Sequence, residues 1–200
     1  MTETPASIHA FWFGAETDDA LLAQERARLW WAKDAATDRE IERRFAACVD
    51  QAVAGALDGW AATPRGRLAL ILLTDQFPRN IYRGTPRSFA YDRYALAWCK
   101  QGLAAGVHHA LRPIERVFFY LPLEHSEAAD DQTQAVALFE ELVAQAGATR
   151  QAAFDGFLDY ARRHRDVIVR FGRFPHRNQI LGRQSSPDEL AFLRQPGSSF

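Results

Sequence analysis

Phe154, Phe157, Ala161, His164, Ile168 and Phe171 step along the chain by 3, 4, 3, 4 and 3. Side chains at that spacing share one face of an α-helix, whereas a strand would divide them between two faces. Shorter runs of the same period fill the rest of the chain, and none shows the period-two alternation of a half-buried strand. The pattern predicts an all-α fold of roughly eight to ten helices. No linker is long or polar enough to split residues 1–200, so one domain is expected.

The helix boundaries are signalled by caps. Thr4-Pro5 opens a helix carrying Ile8, Phe11 and Trp12, and Gly14 closes it. A second helix carries Leu21, Leu22, Leu29 and Trp30. Thr37-Asp38-Arg39-Glu40 reads as a capping box for a third, with Ile41, Phe45, Cys48, Ala52 and Leu57 inward. Thr63-Pro64 opens a helix whose residues 68–73 are apolar nearly all round, which predicts a central, buried element. It must stop before Pro78, which has no backbone donor. Thr85-Pro86 is expected to cap a helix with Phe89, Leu96, Cys99 and Leu103 inward, ended by Gly106. Ile114–Leu121 reads as a short helix broken by Pro122, and Glu124 to Ala146 as a longer one stopped by Gly147. The 154–171 stripe ends at Gly172, and Ser186-Pro187-Asp188-Glu189 boxes the start of a last helix.

Composition narrows the function classes. Hydrophobic residues at 48% and charged residues at 24% are an ordinary globular balance. A net charge of -1 gives no field to recruit nucleic acid or an anionic membrane. No run approaches the length of a membrane span and the N-terminus has no signal-peptide pattern, so a cytoplasmic protein is expected. Cys48 and Cys99 sit in apolar helical patterns, as free buried thiols of a reducing compartment would.

Two stretches carry the candidate chemistry. Gln76-Phe77-Pro78-Arg79-Asn80-Ile81-Tyr82-Arg83-Gly84 and Phe171-Gly172-Arg173-Phe174-Pro175-His176-Arg177-Asn178-Gln179-Ile180-Leu181-Gly182-Arg183 share Phe-Pro, then Arg-Asn, then an apolar residue, then Arg beside Gly. The match suggests an internal duplication. Read as loops, they supply planar guanidinium donors beside helix starts, a combination suited to phosphate or carboxylate. Asp75, Arg79, Asn80, Arg83, Arg173, His176, Arg177, Asn178 and Arg183 are the candidate ligand-binding residues. Asp75, one turn before Arg79, is placed to anchor it.

Charge is uneven along the chain. Between Arg162 and Arg183 there are seven arginines and two histidines against one acid, while Leu123–Asp131 holds four acids and no lysine or arginine. Segments so opposite in sign attract one another in a compact fold. A structural network would pair Arg173 or Arg177 with Glu124 or Glu127. On a continuous helix Glu124, Glu127 and Asp131 fall on one face, with His125 and Gln132 beside it. The candidate acid–base residues are therefore His125, Glu124, Glu127 and His164. The spacing matches no zinc motif, no nucleophile-elbow glycines surround Ser126, and no dinucleotide fingerprint is present. No cofactor is called for.

Four motifs stand in order: Phe11-Trp12-Phe13-Gly14; Leu73-Thr74-Asp75-Gln76-Phe77-Pro78-Arg79-Asn80; Pro122-Leu123-Glu124-His125-Ser126-Glu127; and Phe171-Gly172-Arg173-Phe174-Pro175-His176-Arg177-Asn178 with Leu181-Gly182-Arg183. Together they resemble the bacterial DUF924 family, with Thr74 standing where that pattern would have leucine. The resemblance implies an all-helical fold similar to tetratricopeptide-repeat proteins, and no settled activity. Three functional readings follow: a site for a small anionic ligand between the two loops, with His/Glu acid–base chemistry; a helical scaffold for a protein or peptide partner, its arginines purely structural; and metal-assisted hydrolysis at Glu124, His125, Glu127 and Asp131.

Overall fold

A computed structural model describes residues 3–146 and 151–198. In chain order the helices are α1 (Pro5–Phe13), α2 (Asp19–Trp31), α3 (Ala35–Val53), α4 (Pro64–Thr74), α5 (Gln76–Ile81), α6 (Asp92–Ala104), α7 (Pro113–Glu124), α8 (Ala129–Ala146), α9 (Gln151–Phe171) and α10 (Pro187–Leu193). Short 3-10 turns lie at Asp58–Ala62, Pro86–Phe89, Val107–Ala110 and Pro175–Arg177. No strand occurs among the described residues, and no helix among them is long and apolar enough to cross a membrane.

α4 is the hub. Every residue from Leu68 to Thr74 is buried, and the helix packs against α1, α3, α6 and α7. The apolar surface of that stretch leaves no face that water could occupy, and only the first turns, with their arginines, reach solvent. Around it Trp12, Phe13, Trp30, Phe45, Phe77 and Phe118 interlock, with Trp12 5.4 Å from Phe77 and 5.6 Å from Phe118 between ring centres. α8 lies along α9, and α9 turns Phe154, Ala161, His164 and Ile168 inward.

The caps act where the sequence places them at Thr4, Thr63 and Ser186, whose side chains accept from Ser7 N, Gly66 N and Glu189 N. Elsewhere the boundaries move. α3 starts earlier than the Thr37 box, because Asp34 accepts from Ala36 N and Thr37 N. Asp38 is thereby free for other partners. The stretch after Asp75 is helix α5, not a loop. Pro78 falls in its first turn, where a missing N–H costs no hydrogen bond. Thr85-Pro86 opens a 3-10 turn, Thr85 Oγ1 donates back to Tyr82 O, and α6 begins only at Asp92.

Pro122 does not break α7, which runs through it to Glu124. Standing in the last turn, Pro122 forfeits a single ladder bond, and His125 N still donates to Leu121 O at 2.8 Å. The break comes instead at Ser126-Glu127, whose turn separates α7 from α8. Gln132 Nε2 holds that turn by donating to Glu124 O (2.6 Å) and Ser126 O (2.7 Å). Gly147, the expected stop of α8, lies outside the described residues. The two related stretches differ in backbone. Pro78 sits inside a helix, whereas Pro175 starts a 3-10 turn after Gly172 adopts a φ of 68°.

Candidate functional site

The site is assembled where the α4–α5 corner, the end of α7, the start of α6 and the 3-10 turn at Pro175–Arg177 meet. Asp75 is the corner residue and is fully buried. Its carboxylate accepts from His125 Nδ1 at 2.8 Å and from Gln76 Nε2, and lies 3.1 Å from Arg79 Nη1. Burial alone would raise its pKa, but Arg79 and His125 overcome that and hold the group well below the usual carboxylate range. An ionised Asp75 can only accept, so Nδ1 of His125 carries the hydrogen. Burial, then the Arg79 charge, lowers the His125 pKa against the opposing pull of Asp75. The ring is neutral near pH 7, with Nε2 as its remaining acceptor.

Arg79 joins two elements. Its guanidinium reaches Asp75 O at 2.7 Å and makes two bonds to Asp92 at the start of α6, at 2.8 and 3.0 Å. The second stretch delivers Arg177 to the same carboxylate, Nη1 to Asp92 Oδ2 at 3.4 Å. Arg177 is sandwiched between Phe89 (4.7 Å) and Phe174 (4.6 Å). It is 6% exposed, and its buried Nε has no hydrogen-bond partner. Burial, then the neighbouring Arg79, depresses its pKa to about 10. It remains a cation at neutral pH, though a poorly compensated one.

Above these groups opens a cleft of about 340 Å³. Asp92, Arg93, His125, Ser126, Glu127 and Arg177 supply its polar wall. Pro86, Phe89, Leu96, Pro122 and Leu181 supply most of the apolar one. Behind His125 lies a second buried pair. His164 Nδ1 is 2.9 Å from Tyr160 O and 3.0 Å from Glu124 Oε1. The carbonyl can only accept, so Nδ1 is protonated. The pair is not an ion pair despite its spacing. Burial, then the Asp75 charge, raises Glu124 to about 8, and burial keeps His164 well below its usual range. His176 packs on Phe174 at 5.6 Å, and burial, then Arg177, pushes it down to about 3.

The remaining sequence candidates go elsewhere. Asn80 and Arg83 face α3 and share Asp38, Arg83 through two bonds at 2.7 and 2.8 Å. Arg173 makes two bonds to Glu189 of α10, and Asn178 donates to Ser185. Arg183 holds Glu127 through two bonds, and Glu127 also accepts from Phe174 N. The expected pairing of Arg173 or Arg177 with Glu124 or Glu127 is thus replaced by Arg183–Glu127, Arg173–Glu189 and Arg177–Asp92. The two stretches do not converge as whole loops; Arg79 and Arg177 alone meet, on Asp92.

Glu124, Glu127 and Asp131 do not share a helix face, because the turn after α7 sends them apart. Asp131 takes Lys100 at 2.6 Å and Ser126 Oγ at 2.7 Å. Among the described residues no group of three or more His, Cys, Asp or Glu side chains could hold one metal ion. Cys48 and Cys99 are buried and free, and burial raises both thiols, so neither is a nucleophile. The residues that sequence reading missed are Asp92, which receives both arginines, and Phe89, which stacks on one. An acid in the first turn of a helix is too common to have marked Asp92.

The fold and site define an all-α protein with a buried Asp–His pair opening on an arginine-lined cleft. The chain belongs to DUF924, described as a bacterial protein of unknown function, whose family profile matches residues 8–197. It is similar to the solved structure of a protein of unknown function, ATU0120, from Agrobacterium tumefaciens. The two are 38% identical with a TM-score of 0.74, over 88% of this chain and 99% of that one. A comparison with curated proteins finds no match.

Proposed function

We propose that the cleft binds a small anionic molecule, held by Arg177, and that His125 exchanges a proton with it. The carrying observation is Arg177 itself. Its guanidinium is buried beside the cleft, its contact with Asp92 is long, and Asp92 already takes two bonds from Arg79. A ligand anion would supply the missing compensation. His125 has the form of a general base. Asp75 accepts its Nδ1–H, fixes the ring, and would stabilise the imidazolium formed when Nε2 takes a proton from the ligand. Glu124 and His164 stand behind the ring as a neutral pair.

The test is a panel of phosphates, sulfates and carboxylates scored by thermal shift, with the His125 ring nitrogens followed by NMR. Stabilisation of wild type by at least one anion, lost in Arg177→Met and accompanied by movement of the Nε2 signal, is expected. A panel that leaves both melting temperature and His125 unchanged removes the reading.

A second reading is a helical scaffold for a protein or peptide partner. It is favoured by Arg83, Arg173 and Arg183, which are all spent on internal carboxylates. A tetratricopeptide-like arrangement would suit it, and it predicts no anion effect at all. On either reading the two buried free thiols suit a reducing compartment, and we place the protein in the cytoplasm.

A further inference from the structure

We propose, resting on the anion-site reading above, that the ligand is a small monocarboxylate with a compact apolar body, in preference to a phosphate. Three features of the cleft select it.

The first is charge. Arg177 shares the cleft wall with Asp92, 3.4 Å away, and with Glu127. The other lining cation, Arg93, is turned to Tyr94, bonding its hydroxyl at 2.9 Å and lying 4.8 Å over its ring. Asp92 and Glu127 are already paired with Arg79 and Arg183, so three guanidiniums against two carboxylates leave one positive charge at the wall, which a single negative charge balances. A dianion there would exceed that charge and meet repulsion from both acids.

The second feature is shape. The rings of Phe89 and Phe174 lie 4.7 and 4.6 Å from the Arg177 guanidinium carbon, which leaves its edge for a ligand. That fork takes two oxygens of a carboxylate or a phosphate alike, so a carboxylate is fully used there while a phosphate keeps oxygens without a guanidinium partner.

The third is the opposite wall. Phe89, Leu96, Pro122 and Leu181 offer apolar surface close to the polar groups. Leu181 is 37% exposed. At about 340 Å³ the cleft is at the small end for a ligand site, with room for one ring or a short branched chain. An inorganic phosphate would leave that wall in contact with water alone, whereas an apolar body would cover it.

The test uses calorimetric titration of the full chain with four probes: benzoate, isobutyrate, acetate and inorganic phosphate. Benzoate and isobutyrate are expected to bind about tenfold or more tightly than acetate, and than phosphate. Leu181→Ser, at a half-exposed position, should weaken benzoate several-fold and leave acetate unchanged. Arg177→Met should abolish binding of all carboxylates, its fold being checked by circular dichroism; if that variant does not fold, Leu181→Ser decides. Phosphate binding as tightly as benzoate, and lost in Arg177→Met, would overturn the monocarboxylate class while leaving an anion site in place. Acetate matching benzoate would overturn the apolar body. Binding of none of the four would overturn this inference, and the anion panel then decides whether the underlying reading falls with it. Benzoate binding indifferent to both variants would place the ligand elsewhere on the molecule and overturn it as well.

Discussion

Glu124→Gln should change how stability depends on pH, and the change can be worked out beforehand. Glu124 is 4% exposed, and burial, then the Asp75 charge, raises its pKa from an ordinary 4.5 to about 8. Between those values the folded state holds a proton that the unfolded state has lost. Stability from this group is therefore fully present below pH 4.5 and declines as pH rises through 8. Each pH unit in that window is worth ~1.4 kcal/mol. From pH 6.5 to 8 the loss comes to about 2 kcal/mol, allowing for partial ionisation near the top. His108, His125, His164 and His176 have lowered pKa values, so their contributions rise with pH through the ordinary histidine value of 6.5 and flatten about a unit above it; this rise is common to wild type and variant and cancels in their difference. Arg177, at about 10, changes charge well above this interval. Urea unfolding of wild type and Glu124→Gln, measured at pH 6.5, 7, 7.5 and 8, isolates the slope. The stability of wild type relative to the glutamine variant should fall by about 2 kcal/mol across the series. Parallel curves would show that folding does not raise the Glu124 pKa and would refute the reasoning.

Arg79→Ala and Arg177→Ala should couple through Asp92 by roughly 0.5–3 kcal/mol in a double-mutant cycle, whereas Arg177→Ala and Arg83→Ala should add, because Arg83 bonds Asp38 instead; additivity of the first pair would deny a shared carboxylate. Arg177→Met in ligand-free protein should be as stable as wild type or more stable by about 1–4 kcal/mol, since a methionine against Phe89 and Phe174 avoids the desolvated charge while Asp92 keeps Arg79; a loss of stability by chemical denaturation would make Arg177 a structural residue. Gly102→Ala should destabilise by about 1–3 kcal/mol, because its Cβ would come within 2.5 Å of Phe119 Cζ and 2.6 Å of Arg67 Cδ; an unchanged melting temperature would show that those side chains yield freely. Ser186→Ala should cost about 1 kcal/mol by removing the α10 cap, read by the same method.

What the sequence discloses is what local chemistry controls. The α9 stripe, the buried α4 and the caps at Thr4, Thr63 and Ser186 follow from period and from hydrogen-bonding groups a few residues apart. Errors arise where two local rules compete. Pro122 looks like a terminator, yet in a last turn it loses one bond, and the terminating work falls to Ser126 and Gln132, whose amide acts from eight residues beyond Glu124. Thr37 looks like a cap, but Asp34 caps the helix three residues earlier, on the amides of Ala36 and Thr37. Of the site, Arg79 and Arg177 stand in glycine-punctuated polar stretches, Asp75 one turn before Arg79 and His125 in an acidic run, so their residue types mark them in the sequence. Asp92 and Phe89 are not so marked, because what singles them out is who reaches them. Arg177 is 85 positions from Asp92 along the chain, a separation no local pattern encodes.

The arginines of the two related stretches therefore divide by what their partners leave undone. Arg83, Arg173 and Arg183 each make two bonds to a carboxylate, and planar pairs of that kind explain arginine over lysine at those positions without a ligand. Arg79 explains itself the same way, as the tie between the α4–α5 corner and α6. Arg177 is different. Its burial is deeper than theirs and its ion contact is longer. If its task were only to fill the space between Phe89 and Phe174, an apolar side chain would fill it without desolvating a charge. What a guanidinium adds at that place is a fixed positive edge on the cleft wall, beside a histidine whose tautomer Asp75 has already set. A structural network accounts for four of the five arginines, and it is the fifth that makes the cleft a site.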